Sequence, residues 1–138
     1  MHQRKIIHRD LKLENVLLNS KESETLDVRL ADFGISAVVP NDDFLFKKCG
    51  TPSYIAPEIL RGLGYDSKAD IFSVGSMMFN LMSGRFLFYS DSIEDILKLN
   101  KLCDVAEVLA TIKGKISSYG MDLLRQLLQV DPSDRPSA

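Results

Sequence analysis

Apolar positions change their rhythm along these 138 residues. Short runs come first: Ile6-Ile7, then Val16-Leu17-Leu18 and Val28-Arg29-Leu30. The last two are strand-like, and the polar stretch from Asn19 to Thr25 between them predicts a hairpin turn. Ile35 to Tyr54 has no clear period, and so long an irregular segment inside a compact domain is typically functional. Beyond Pro57 the apolar positions follow helical spacing. Ser67-Lys68-Ala69-Asp70 fits a capping box. Behind it, Ile71 to Met82 carries Phe72, Val74, Met77, Met78, Phe79, Leu81 and Met82 on every face, which predicts a helix buried all round and ended by Ser83-Gly84. Ser92-Ile93-Glu94-Asp95 predicts a second helix start, with Ile93, Ile96 and Leu97 on one face. Met121, Leu124, Leu127 and Leu128 form an amphipathic stripe that Asp131-Pro132 stops. The pattern has no internal repeat, low-complexity tract or linker; it describes a mainly helical α+β chain with one short hairpin near its start.

Composition narrows the function classes. A hydrophobic share of 45% and a charged share of 26% are ordinary for a soluble globular protein. A formal net charge of −2 gives no reason to expect a nucleic acid or an anionic membrane as partner. No apolar run is long enough to cross a bilayer, and no leader pattern opens the chain. Cys49 and Cys103 lie far apart without metal-ligand spacing, so both read as free thiols in a reducing compartment, cytoplasmic or nuclear.

The chemistry concentrates in two short strings. His8-Arg9-Asp10-Leu11-Lys12-Leu13-Glu14-Asn15 precedes the first strand of the hairpin, and Asp32-Phe33-Gly34 follows the second. Phosphoryl transfer to an alcohol needs a carboxylate for the hydroxyl, hard oxygen ligands for magnesium and positive charge on the moving group. Asp10 can supply the carboxylate, Asn15 and Asp32 the metal oxygens, and Lys12 the cation. Gly34 lets the backbone turn sharply beside Asp32. Each piece alone is weak, and His8, beside two isoleucines, reads as a core histidine bonded to backbone rather than a base.

Together the pieces resemble the protein kinase family. HRDLKLEN at 8–15 looks like its catalytic loop, DFG at 32–34 like its magnesium motif, and CGTPSYIAPE at 49–58 like the end of its activation segment. Asp70-Ile71-Phe72-Ser73-Val74-Gly75 resembles the start of the central helix of the large lobe, and Asp131 to Arg135 the element before the last helix. The resemblance implies a protein-kinase-like fold, large C-terminal lobe only, mainly α-helical with a short β-hairpin bearing the catalytic loop. It implies ATP and Mg as cofactors and a protein substrate with a Ser/Thr acceptor. Asp10 would be the catalytic base or hydroxyl-orienting acid. Lys12 would contact the γ-phosphate, in the serine/threonine manner, and Thr51 would support both. Asn15 and Asp32 would hold magnesium, and Arg9 would meet a negative charge on the activation segment. Glu58 and Arg135 would form a structural ion pair, Asp70 would brace the catalytic loop, and Phe33 would pack in the apolar column between lobes. The CGTP run is similar to the calcium/calmodulin-dependent kinase group.

Departures from the family pattern matter as much. Leu13 stands where proline is common and Phe72 where tryptophan is, both keeping apolar bulk. Between Ser36 and Thr51 the sequence has no serine, threonine or tyrosine. Arg9 therefore lacks the usual phosphate acceptor, and Asp42 or Asp43 is expected to supply a permanent acid in its place. The glycine-rich loop, strand lysine, helix glutamate and hinge of the family are not among these residues. Residues 1–138 are thus expected to be a partial kinase domain, inactive without the small lobe of the same full-length chain. The alternative is an isolated lobe or pseudokinase acting as a binding or scaffold module.

Overall fold

The computed structural model describes residues 1–19, 27–39 and 43–138. After a single 3-10 turn at His2–Arg4, strand β1 (Ile6–Ile7) leads into the catalytic string, and a second 3-10 turn at Leu13–Asn15 leads out of it. Strands β2 (Val16–Leu18) and β3 (Val28–Leu30) pair antiparallel with Val16 opposite Leu30 and Leu18 opposite Val28, as the apolar runs predicted. The turn expected between them lies outside the described residues, except for Asn19, whose amide donates to the Asp27 carbonyl at 2.9 Å. Sequence reading did not find the second pairing: β1 runs antiparallel to β4 (Ala37–Val38), with Ile6 opposite Val38. Two-residue strands are too short to show a period.

Five helices follow among the described residues. Helix α1 (Pro57–Arg61) starts on proline, whose missing N–H is no loss in a first turn, and ends at Gly62 with φ 74°. Helix α2 (Lys68–Ser83) is the central element and stops at left-handed Gly84, as expected. Its start corrects the sequence reading. Ser67 already has helical backbone angles and makes no capping bond, and the Asp66 carboxylate takes the Lys68 N–H at 2.8 Å instead. The predicted burial on all sides is also corrected. Phe72 and Phe79 are sealed in the core, but Leu81 is 73% and Met82 42% exposed.

Helix α3 (Ile93–Leu102) has its predicted cap, Ser92 accepting the Asp95 N–H at 3.1 Å. Its apolar face is corrected in turn, because Ile93 is exposed and only Ile96 and Leu97 are half-buried. Helix α4 (Val105–Ala110) and helix α5 (Ser118–Leu127) complete the set. Met121, Leu124, Leu127 and Leu128 are all buried, so the amphipathic stripe was read correctly. Each such side chain contributes on the order of 2 kcal/mol by leaving water. Helix α5 lies hard against α2: a Cβ added at Gly75 would stand 2.8 Å from Leu128 and 2.9 Å from Leu127. Among the described residues, no helix is long and apolar enough to cross a membrane. Both cysteines are free thiols.

Candidate active site

The catalytic string crosses the molecule as a strained loop tied from below. Arg9 has φ 70°, a left-handed conformation that side chains rarely adopt. It is held by Asp70, 1% exposed on α2, whose carboxylate accepts the N–H of His8 and of Arg9, each at 2.9 Å. His2, which sequence reading passed over, adds a third contact to that carboxylate at 2.8 Å. Asp70 thus braces the loop rather than capping its own helix. His8 is fully buried: Nε2 donates to the Ala31 carbonyl at 3.0 Å and Nδ1 accepts the Asp10 N–H at 3.3 Å. Both ring nitrogens are occupied, as expected of a packing histidine.

Above this brace, three of the expected residues converge. The Thr51 hydroxyl donates to Asp10 Oδ1 at 2.6 Å and accepts from Lys12 Nζ at 3.1 Å, while Lys12 Nζ also lies 3.1 Å from Asp10 Oδ2. Burial is the largest influence on the Asp10 carboxyl and pushes its pKa up. The Thr51 hydrogen bond, the Lys12 hydrogen bond and the Lys12 charge together outweigh burial and hold the pKa below the ordinary value. The result is an ionised carboxylate beside an ammonium with a donor to spare.

Asn15 is fixed by its amide, Nδ2 donating to the Asp10 carbonyl at 2.9 Å. That bond leaves its Oδ1 without a partner among the described residues. Asp32 has φ 60° and accepts the Gly34 N–H on Oδ1 at 3.2 Å. A Cβ on Gly34 would sit 3.0 Å from that oxygen, so glycine is what keeps the carboxylate clear. An amide oxygen and a carboxylate are the hard donors that magnesium takes, its other ligands coming from waters and phosphates. Phe33 is 50% exposed, its ring 4.8 Å from that of His8.

The architectural pair is complete. Arg135, 2% exposed, sends Nη1 to Glu58 Oε1 at 2.6 Å and Nη2 to Oε2 at 2.8 Å. Its other donors reach the carbonyls of Gln129, Lys68 and Val130, and its guanidinium lies 5.0 Å from the Phe72 ring centroid.

Of the two acids expected to stand in for a phosphate, Asp43 does not meet Arg9. Arg9 Nε donates to the Ile35 carbonyl, Asp43 accepts the N–H of its neighbour Phe44 at 2.8 Å, and the two form no ion pair. Asp42 lies outside the described residues. Sequence reading also missed the polar groups that pin the end of the irregular segment. Ser76 donates to the Ser53 carbonyl at 2.7 Å, Ser73 to the Tyr54 carbonyl at 2.9 Å, and Ser53 to the Phe88 carbonyl at 3.0 Å. A signal existed for two of them, since Ser73 and Ser76 interrupt an otherwise apolar helix. A cavity of about 710 Å³, lined by residues of α4, α5 and their flanks, contains none of these groups.

Residues 1–138 match the protein kinase domain. The chain belongs to the protein kinase family. Relatives of this kinase include myosin light chain kinase A of Dictyostelium discoideum, 40% identical over 138 residues covering 100% of this chain and 46% of that protein. The serine/threonine-protein kinase DCLK3 of Mus musculus is 36% identical, with 100% of this chain and 17% of that protein covered. The SNF1-related protein kinase catalytic subunit alpha KIN12 of Arabidopsis thaliana is 35% identical over 99% and 26%. The kinase chain thus spans under half the length of these relatives. The expected resemblance to serine/threonine kinases holds, and with it the family's general use of ATP and magnesium.

Proposed function

We propose that residues 1–138 form the large-lobe part of a serine/threonine kinase, whose full-length chain transfers the γ-phosphoryl group of ATP to a protein Ser/Thr hydroxyl. The observation that carries this reading is the closed set Asp10–Thr51–Lys12, with bonds of 2.6 and 3.1 Å. Magnesium-bound ATP supplies the phosphoryl group, and Asn15 Oδ1 and the Asp32 carboxylate are the oxygens that would hold the metal.

This chain's residues do the rest. Asp10 accepts the hydroxyl hydrogen and aims the attacking oxygen. Its lowered pKa makes it a weak base, suited to orientation in a loose transition state that needs little proton abstraction beforehand. Lys12 keeps an N–H for the phosphoryl oxygens, and Thr51 fixes the distance between the two.

The hairpin supports the large-lobe reading. Leu17, Leu18, Val28 and Leu30 are 52%, 58%, 55% and 40% exposed beside half-exposed Phe33. So much apolar surface next to a polar site favours a covering element, which in this reading is the small lobe with the adenine between. The test is peptide phosphorylation by the full-length chain against its Asp10→Asn variant. A loss of about 10²- to 10⁴-fold in kcat with ATP binding retained is the expected result. Equal rates for both would sink the reading and leave a binding module.

A further inference from the structure

Residues 37–50 of the irregular segment lack a hydroxyl for phosphorylation, and Tyr65 is what residues 43–50 lie against. Leu45 and Tyr65 exchange both backbone bonds, Leu45 N–H to the Tyr65 carbonyl at 2.9 Å and Tyr65 N–H to the Leu45 carbonyl at 3.0 Å. The Tyr65 side chain, 2% exposed, then reaches under the segment. Its hydroxyl donates to the Lys47 carbonyl at 2.7 Å and stands 3.6 Å from Cys49 Sγ.

The Arg9 guanidinium lies beside the same hydroxyl. Burial pushes the phenol pKa up to about 12 and the Cys49 contact adds to that, while Arg9 pulls the other way. The cation that a phosphate would otherwise attract is therefore engaged by the chain's own Ile35 carbonyl, with the Tyr65 hydroxyl nearby. The hydroxyls nearest the segment's end are committed elsewhere: Thr51 to Asp10, and Ser53, 5% exposed, to the Phe88 carbonyl.

We propose that Tyr65 is the positioning residue that holds residues 43–50 and Arg9 in their working arrangement, in the role a phosphorylated side chain would play, so that this kinase is active without phosphorylation of that segment. The inference rests on the kinase reading above. Its geometric core is independent of that reading: a hydroxyl from outside the segment satisfies a segment carbonyl and neighbours the catalytic-loop arginine. Through Cys49-Gly50 the same arrangement sets where Thr51 meets Asp10.

The test uses the full-length chain as wild type, Tyr65→Phe and Asp10→Asn, each treated with phosphatase. Tyr65→Phe keeps the ring in the core and removes only the hydroxyl. Dephosphorylated wild type is expected to keep its kcat. Tyr65→Phe is expected to lose about tenfold in kcat, the worth of one buried hydrogen bond, with KM for ATP unchanged. A second readout does not need activity: tryptic cleavage after Lys47 and Lys48 should quicken in Tyr65→Phe. Loss of wild-type activity on phosphatase treatment, or unchanged cleavage and kcat in Tyr65→Phe, would overturn the proposal. If wild type transfers no more phosphate than Asp10→Asn, the kinase reading fails instead, and the cleavage comparison still decides whether Tyr65 clamps the segment.

Discussion

Arg135–Glu58 and Lys12–Asp10 are both cation–carboxylate pairs, and they are finished to different degrees. In the first, all five guanidinium donors have partners and both side chains are nearly or wholly sealed, at 0% and 2% exposure. In the second, the side chains keep 23% and 14% of their surface, and the ammonium has an N–H left over. The lesson is about vacancies. Arg135 and Glu58 have their valences filled by the fold, whereas Asp10 and Lys12, the residues proposed to do the chemistry, are tied just enough to be aimed.

The hardest blow to that contrast would come from stability measurements on the full-length chain. Glu58→Ala strands a buried guanidinium and should cost about 3–5 kcal/mol in urea unfolding, whereas Asp10→Asn should change it by less than about 1 kcal/mol. Similar losses in the two variants would erase the distinction. Next in size is the packing around the closed pair. Gly75→Ala forces a methyl into Leu127 and Leu128 and should cost about 1–3 kcal/mol without altering the chemistry. An unchanged melting temperature would mean that α2 and α5 do not approach as closely as described.

On the open side, Thr51→Val removes the hydroxyl shared by Asp10 and Lys12 and should lower kcat about tenfold while sparing KM for ATP. A variant with normal kcat would show that the spacing of the pair needs no third member. The smallest effect is a titration. Asp10 has its pKa lowered from 3.8, so its ionisation stabilises the fold above that value. The contribution is lost as pH falls through the lowered folded pKa. Lys12→Met removes a hydrogen bond and a charge, leaving burial opposed by Thr51 alone, and should move the midpoint up. Carbon NMR of the Asp10 carboxyl reads it, and a midpoint that stays or falls would contradict the assigned balance.

What was legible in the sequence was what local chemistry decides. Met121, Leu124, Leu127 and Leu128 repeat at helical spacing, and spacing was enough to bury them. Val16–Leu18 and Val28–Leu30 were found at their true bounds because each is a short β-prone run opening directly after a polar residue. The motif residues Asp10, Lys12 and Thr51 do come together. The errors arise where a distant partner decides. The capping box at Ser67–Asp70 failed because the acid accepts from His8 and Arg9, which no window around residue 70 contains; the family resemblance, and not local spacing, placed Asp70 under that loop. Leu81 and Met82 were assigned to the core because apolar residues cover every face of the helix, yet they remain 73% and 42% exposed. Asp42 or Asp43 was expected to supply an acid for Arg9, but Asp43 accepts its neighbour's N–H and the Ile35 carbonyl takes Arg9 Nε. Tyr65 had no motif to mark it, since its importance is created entirely by what folds over it.

The brace beneath the catalytic loop also has a birth order. His8 and Arg9 are separated from Asp70 by 62 and 61 positions. At synthesis rates of about 5–20 residues per second, the ribosome delivers Asp70 roughly 3–12 s after the loop it must hold. During that interval the nascent chain carries the whole HRDLKLEN string without the carboxylate that ties Arg9 into its left-handed turn. A newborn chain therefore displays its family's motif before it has the residue that shapes it, and a stop anywhere before residue 70 leaves the motif alone.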